Sequence, residues 1–214
     1  MSVSSEAEQL LTEGLCELGV PATAEALERI LTFTQAVLSS NERTNLIGPA
    51  NLRTLIVRHV LDSVAPVAGR QLENPVIDLG SGAGFPGIPL AAINGNWRFI
   101  LLEPRRKRLE FLSWIKELLG LGNVRCLPWT ASGAVRQGMA ATAGAVLARA
   151  LAKPEEALHL AMPLVKPGGV LLLYEGRASI ASREFRTAVK KWGAQLSIDP
   201  IRVPFLDAQR HLWT

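Results

Sequence analysis

An α/β architecture with a helical N-terminal extension is what this 214-residue sequence predicts, and three observations carry the prediction. From Pro75 onward, short β-rich runs alternate with helix-length amphipathic segments, the pattern of a mostly parallel sheet covered by helices. Near residue 80 one of those strands runs directly into a glycine-rich turn and then a helix. Before residue 66 the periodicity is helical only.

Taken in order, residues 5–18 place Leu11, Leu15 and Leu18 on one helical face and end at Gly19-Val20-Pro21. Residues 24–38 repeat the pattern with Leu27, Ile30, Leu31, Val37 and Leu38, behind Thr23 as N-cap. A third helix runs from Asn51 to about Val67, with Leu52, Leu55, Ile56 and Val60 inward. Strands are then expected at 76–79, 98–102, 123–127, 145–148 and 169–174, and helices at 87–93, 106–119, 154–162 and 179–191. Leu109, Leu112, Ile115 and Leu119 form the buried stripe of the 106–119 helix, and Lys166-Pro167-Gly168-Gly169 turns the chain into a strand. Two extended segments, 194–203 and 210–214, finish the chain as an antiparallel hairpin with a short connection. The expected organisation is a helical extension, residues 1–65, packed on a body of residues 66–214 as one unit, without internal repeats or a long linker.

Apolar residues make up 48% of the chain and charged residues 20%, which suits a packed core and excludes a disordered or low-complexity protein. The charge-free stretch from Leu79 to Trp97 holds five Gly, two Pro and two Asn, a composition no transmembrane helix tolerates. With no export signal at the N-terminus, a cytoplasmic monomer with no membrane partner is expected. Cys16 and Cys126 lack neighbours at metal-ligand spacing and are expected to be small buried hydrophobes; no metal is expected. The net charge of +4 divides into −5 over residues 1–30 and +9 over residues 31–214, so the body carries the sign that favours a polyanion.

The most informative stretch is Val76-Ile77-Asp78-Leu79-Gly80-Ser81-Gly82-Ala83-Gly84-Phe85-Pro86-Gly87. Gly80, Gly82 and Gly84 permit a tight turn and let a ligand lie against the backbone, ahead of a helix N-terminus. Two cofactor classes compete for it. Gly82 to Gly87 matches G-x-G-x-x-G, with Glu103 21 residues on, as in a dinucleotide site. From the strand end, however, the pattern is D-x-G-x-G-x-G from Asp78 to Gly84, which resembles motif I of class I S-adenosylmethionine-dependent methyltransferases. Asp78 favours the ammonium and sulfonium of S-adenosylmethionine and would repel a pyrophosphate. Glu103, ending the second strand, is placed to accept hydrogen bonds from ribose hydroxyls; the competing reading is a solvated partner for Arg105 or Arg106.

Further segments sharpen the resemblance: Asn45-Leu46, Arg58-His59-Val60-Leu61-Asp62-Ser63, the continuation Phe85-Pro86-Gly87-Ile88-Pro89-Leu90, Lys107-Arg108-Leu109-Glu110-Phe111-Leu112, Arg149-Ala150 and Arg210-His211-Leu212. Over roughly residues 25–214 the chain is similar to the glucose-inhibited division protein B family of bacterial small-subunit ribosomal RNA methyltransferases, which methylate guanine N7. The resemblance implies a Rossmann-like class I methyltransferase fold, S-adenosylmethionine as cofactor, and 16S ribosomal RNA, in a small-subunit particle or its precursor, as partner. It also implies cofactor contacts at Gly80, Phe85, Ala131, Ser132 and Arg149, with Ala131-Ser132 flanking the adenine. The chain departs from the family at Ser132 (often Glu), Glu175 (commonly Lys) and Glu103 (more usually Asp).

Guanine N7 presents a lone pair and no proton, so an in-line methyl displacement there requires positioning and no general base. The segment Leu147-Ala148-Arg149-Ala150 stands where amine methyltransferases carry Asn/Asp-Pro-Pro-aromatic, and neither cysteine is placed as a nucleophile for carbon methylation. Arg58, His59, Arg210 and His211 are the candidate substrate-cleft residues; for His59 a packed histidine is the competing reading. The run Arg105-Arg106-Lys107-Arg108 offers phosphate contacts or a solvated surface. Trp97, Trp114, Trp129 and Trp192 are expected in the core or at its boundary. The rival functions are an NAD-dependent oxidoreductase using the Gly82 register and an RNA-binding relative without chemistry.

Overall fold

Apolar residues on both faces of each strand build the sheet, because a parallel strand is covered on both sides. The computed structural model describes residues 3–175 and 180–214. Seven strands lie in the order β3-β2-β1-β4-β5-β7-β6: β1 (Val76–Leu79), β2 (Phe99–Leu102), β3 (Val124–Leu127), β4 (Ala143–Arg149), β5 (Val165–Glu175), β6 (Ile198–Ile201) and β7 (Arg210–Trp213). The first five pair in parallel, and β7 runs antiparallel between β5 and β6. Strand order reverses between β1 and β4, the switch point at which open α/β sheets leave a crevice beyond the strand carboxyl ends.

Period-two alternation divides the core. Val76, Phe99, Leu101, Leu147 and Leu172 face helices α1 (Val3–Glu17), α2 (Ala24–Thr44), α3 (Leu52–Leu55), α5 (Gly87–Ile93) and α6 (Arg106–Leu118). Ile77, Leu102, Val146, Leu173 and Trp213 face α7 (Ala131–Ala134), α8 (Pro154–Ala161) and α9 (Arg183–Lys191). Leu11, Leu15, Ile30 and Phe33 of the N-terminal helices belong to the same apolar cluster as Leu147 and Leu212, so no seam separates them from the sheet. Among the described residues no helix is long and apolar enough to cross a membrane.

Several expectations change. The second helix continues to Thr44, where Asn45 adopts φ 47° and its N–H closes on the Asn41 carbonyl, a left-handed C-cap that an apolar stripe does not reveal. The third helix begins at its Asn51 cap but is not regular: α3 widens into a π turn (Ile56–Leu61) before α4 (Asp62–Val64) and a 3-10 turn (Ala65–Val67). The turn at Lys166-Pro167-Gly168-Gly169 is a bulge inside β5, where the pairing with β4 jumps from Ala143↔Val165 to Ala145↔Val170. α7 is an addition to the expected elements, because one helical turn leaves no apolar period. α9 starts after its Ser182 cap; residue 179 of the expected helix lies outside the described residues.

Two burial expectations fail. Cys16 is exposed and Cys126 only partly covered, with its thiol pushed up to about 11 chiefly by burial. Trp114 and Trp192 expose 48% and 43% of their surface, whereas Trp97 is buried.

Candidate active site

The loop after β1 is fixed from beneath. Gly80 and Ser81 donate from their N–H groups to the Leu102 carbonyl at 2.9 and 3.2 Å, and the Ser81 hydroxyl donates to the Asp78 carbonyl at 3.0 Å. Asp78 is 1% exposed, and its Oδ2 accepts the Gly87 N–H at the start of α5 at 3.0 Å. Burial pushes this carboxyl up to about 7, against the pull of the Gly87 N–H, Ser81 and Arg149. Asp78 therefore lies under the loop and anchors it to the helix, whereas the sequence pattern places it at the ligand surface. A phosphate at this helix N-terminus would have to displace that carboxyl, which disfavours the dinucleotide register.

Glu103 ends β2 and bridges two loops, its Oε2 accepting the Gly82 N–H at 3.0 Å and its Oε1 the Arg105 N–H at 2.9 Å. Each carboxylate oxygen keeps acceptor capacity for a further donor. Above Gly82, at φ 56°, the space is open: a Cβ built there would meet only the Arg108 guanidinium at 3.7 Å and the Gly80 carbonyl at 3.8 Å. Arg108 thus folds back over the loop, while Arg106 pairs with Glu110 at 2.7 Å; the basic run is divided between loop, helix and solvent.

Beyond β3, Thr130 caps α7 by accepting the Gly133 N–H at 3.1 Å, which leaves the N–H groups of Ala131 and Ser132 in the first turn, where no intrahelical partner exists. Ala131 is buried and Ser132 exposed. An open glycine backbone, a buried acid with spare acceptors and a pair of helix-start amides at the ends of β1, β2 and β3 form a cradle that fits S-adenosylmethionine.

Phe85 and His59 meet at the other rim. The Phe85 ring is 8% exposed and packs between Phe33 and His59, both at 5.0 Å between ring centroids. Phe85 holds the loop against the N-terminal helices. Gly84, at φ 99°, leaves room for this packing: a Cβ there would lie 2.7 Å from Ile88 and 3.3 Å from the Phe33 ring. His59 falls in the π turn, and burial, then Arg149 and Arg58, hold its imidazole down at about 4, so it is neutral at physiological pH. The Arg58 side chain is exposed; its contribution to the cleft is its carbonyl, which accepts from Arg149 Nη2 at 2.7 Å.

Arg149, at the end of β4, also binds Asp62 at 2.8 Å, and the other Asp62 oxygen accepts from Arg210 Nε at 2.7 Å. One buried carboxylate thus joins the helix of residues 52–67, β4 and β7. Sequence reasoning gives Asp62 no role beyond membership of the Arg58–Ser63 motif. After Arg149 the chain turns through Ala150 at φ 49°, and Leu151 returns over Gly80, where a Cβ would come within 2.5 Å of it. A pocket of about 360 Å³ opens beside this hub, between Asp62, Arg149, Tyr174, Glu175, Arg210 and His211. Arg149, Arg210 and His211 therefore come together; Arg58 and His59 approach from the helix side, and Glu103, Gly82, Ala131 and Ser132 line the cradle. Among the described residues no group of His, Cys, Asp and Glu is placed to hold a metal.

A family model described as rRNA small subunit methyltransferase G matches residues 26–213. The ribosomal RNA small subunit methyltransferase G of Polynucleobacter asymbioticus is 32% identical over 96% of this chain and 93% of its own length. That of Methylococcus capsulatus is 34% identical over 95% of each chain. Among solved structures, Aeropyrum pernix fibrillarin in complex with natively bound S-adenosyl-L-methionine aligns with a TM-score of 0.52 at 16% identity, over 71% of this chain and 72% of its own. A SAM dependent methyltransferase from Aquifex aeolicus gives 0.53 at 15%, over 75% and 91%. At such identities the likeness is one of fold.

Proposed function

The chain belongs to the rRNA small subunit methyltransferase G family, which makes it an S-adenosylmethionine-dependent rRNA methyltransferase, and from that premise we propose that it methylates N7 of a guanine in 16S rRNA. Its substrate is a small-subunit particle or its precursor, met in the cytoplasm by a monomer with no membrane partner. The observation that supports this reading is the adjacency, at the β1/β4 switch point, of an open backbone cradle and a separate pocket rimmed by arginines.

Bound in the cradle, S-adenosylmethionine supplies an electrophilic methyl group on a sulfonium. Glu103 accepts from the ribose hydroxyls, and the Ala131 and Ser132 amides read the adenine edge. Gly80, Gly82 and Gly84 let the backbone approach, with Phe85 bracing the loop from behind. Asp78 anchors the loop from beneath through the Gly87 N–H, and in its ionised form its charge favours the cationic end. Arg149 lies between cradle and pocket, and Arg58, His59, Arg210 and His211 border the acceptor. Because N7 carries no proton, positioning suffices, and none of these residues serves as a general base.

Labelled methyl transfer to small ribosomal subunits and to free 16S RNA, with the modified base mapped by cleavage at 7-methylguanosine, tests the proposal. Label on N7 of one guanine is expected. Label on an exocyclic amine or a ribose hydroxyl would overturn it.

A further inference from the structure

The connection between β6 and β7 is held in a conformation that one of its own residues disfavours. Phe205 adopts φ 61°, the left-handed region, where a bulky side chain crowds the backbone. Leu206 donates from its N–H to the Val203 carbonyl at 3.2 Å, which closes a turn with Pro204 second and Phe205 third. That is the pattern of a type II turn, whose third position favours glycine. The surroundings hold the turn in place: Val203 is 2% exposed, Leu206 packs against the main apolar cluster, Arg202 pairs with Glu17 of α1 at 3.1 Å, and Arg210 is fixed on Asp62. The strained residue itself is not one that packs. Phe205 exposes 44% of its surface, and among the described residues no other ring lies against it. An aromatic side chain left in solvent, on a backbone that glycine would relieve, is accounted for by a contact outside the chain.

Its place narrows what that contact is. Ile201 pairs with Arg210 and Glu175 with His211, so the connection stands at the carboxyl end of β5, the end of the sheet at which the cradle and the Arg149 pocket open. The chain from Phe205 to Arg210, at the pocket wall, spans no more than about 18 Å. Trp192, comparably exposed, stands at the opposite end beside Val165, and Trp114 leans on Phe111 of its own helix. The connection carries one cation, Arg202, and one anion, Asp207, so it is no phosphate clamp. A ring with no net charge around it suits the face of a nucleobase.

We propose that Phe205 is a stacking platform for an unpaired base of 16S rRNA beside the acceptor nucleotide. The inference rests on the rRNA methyltransferase reading and adds a contact outside the acceptor pocket. RNA is read chiefly where its bases are unstacked, and a nucleotide turned toward a methyl donor leaves its neighbour with an uncovered face. The turn holds the ring ready at the rim, so little freedom is lost when the base arrives. Glycine at residue 205 would relieve the backbone and remove the ring, so stability and substrate binding pull in opposite directions there.

The test joins stability to binding. Phe205→Gly is expected to leave Tm unchanged or raised, because relief of the left-handed strain offsets glycine's greater freedom in the unfolded chain. The same substitution is expected to weaken binding of unmethylated small subunits by about 5- to 150-fold, the range that one stacked base supplies. Phe205→Leu, apolar but without a ring face, should also weaken binding, and Phe205→Trp should retain it. Affinity for S-adenosylhomocysteine, measured by calorimetry, should be unchanged in all of these variants and shows that each is folded. To locate the base, small subunits are assembled with ligated 16S RNA carrying an abasic nucleotide at each position flanking the mapped acceptor in turn. One abasic position is expected to cost the unsubstituted protein that same factor and to cost Phe205→Gly nothing further. A lowered Tm in Phe205→Gly, binding that this substitution leaves untouched, or a loss that no abasic position reproduces overturns the proposal, the last by assigning the ring to a ribosomal protein. Absence of methyl transfer by the unsubstituted protein to small subunits and to 16S RNA overturns instead the function reading, and this inference with it.

Discussion

Two ionisable side chains near the cleft make opposite contributions to stability as pH changes. His59 is held at about 4, below its ordinary 6.5, by burial first and then by two arginines. The unfolded chain takes up a proton below 6.5 that the folded chain refuses until about 4, so this histidine's contribution is complete above 6.5 and is lost across that window as pH falls. His59→Phe keeps a ring against Phe85 and removes the titration. Urea denaturation from pH 7 to 4 should therefore show a shallower loss of stability than in the unsubstituted protein, by on the order of 1–3 kcal/mol at the acid end. Asp78 runs the other way. Its carboxyl is raised from 3.8 to about 7, so the folded chain holds a proton that the unfolded chain has released, and its contribution, complete below 3.8, falls as pH rises through 7. Asp78→Asn retains an acceptor for the Gly87 N–H. Its stability relative to the unsubstituted protein should rise between pH 4 and 7; parallel profiles would show that Asp78 stays ionised beneath the loop.

At the level of elements, the site depends on a few contacts between strand ends and helices. Asp62 joins α4 to β4 and β7 through two arginines, with only 7% of its side chain exposed. Replacing it with alanine leaves two cations in the cleft without their counter-charge. A loss of about 3 kcal/mol in unfolding free energy is expected, at the lower end for a buried pair because Arg210 is 23% exposed. Gly87 is a second such point. A Cβ there would lie 2.6 Å from Asp78 Oδ2 and 3.2 Å from Leu101, so Gly87→Ala should push Asp78 off the α5 amide at a cost of about 1–3 kcal/mol. Donor affinity, measured with S-adenosylhomocysteine, should fall with it, since the same contact sets the loop's height above β1. An unchanged affinity would separate the loop from its anchor.

For the molecule as a whole, the balance of charge bears on how the substrate is met. Residues 31–214 carry a net +9 while the first 30 residues carry −5. Arg105 and Lys107 are exposed at the start of α6, close to Glu103 and the cradle. Each phosphate that they neutralise releases a counterion, so affinity for 16S RNA should fall steeply between about 50 and 200 mM salt. Arg105→Glu together with Lys107→Glu should weaken binding across RNA sequences and flatten the log–log salt slope by about one unit for each phosphate no longer neutralised, without altering S-adenosylhomocysteine affinity.

The sequence alone determined what local chemistry can express. The strand–glycine–helix run from Val76, the acids closing β1 and β2, and the period-two strands are all dictated by neighbours a few residues apart, where backbone sterics and periodicity act. Family likeness added Arg210 and His211 as site residues, and Arg149 was marked both by likeness and by its place at the end of the fourth strand, although nothing in their spacing says what they touch. Only the tertiary structure decided that Asp62, Arg149 and Arg210 share one carboxylate, that Phe85 packs between Phe33 and His59, and that Asp78 lies under its loop. Those outcomes depend on side chains brought together from distant parts of the chain by a common core, and such meetings leave no period in the sequence.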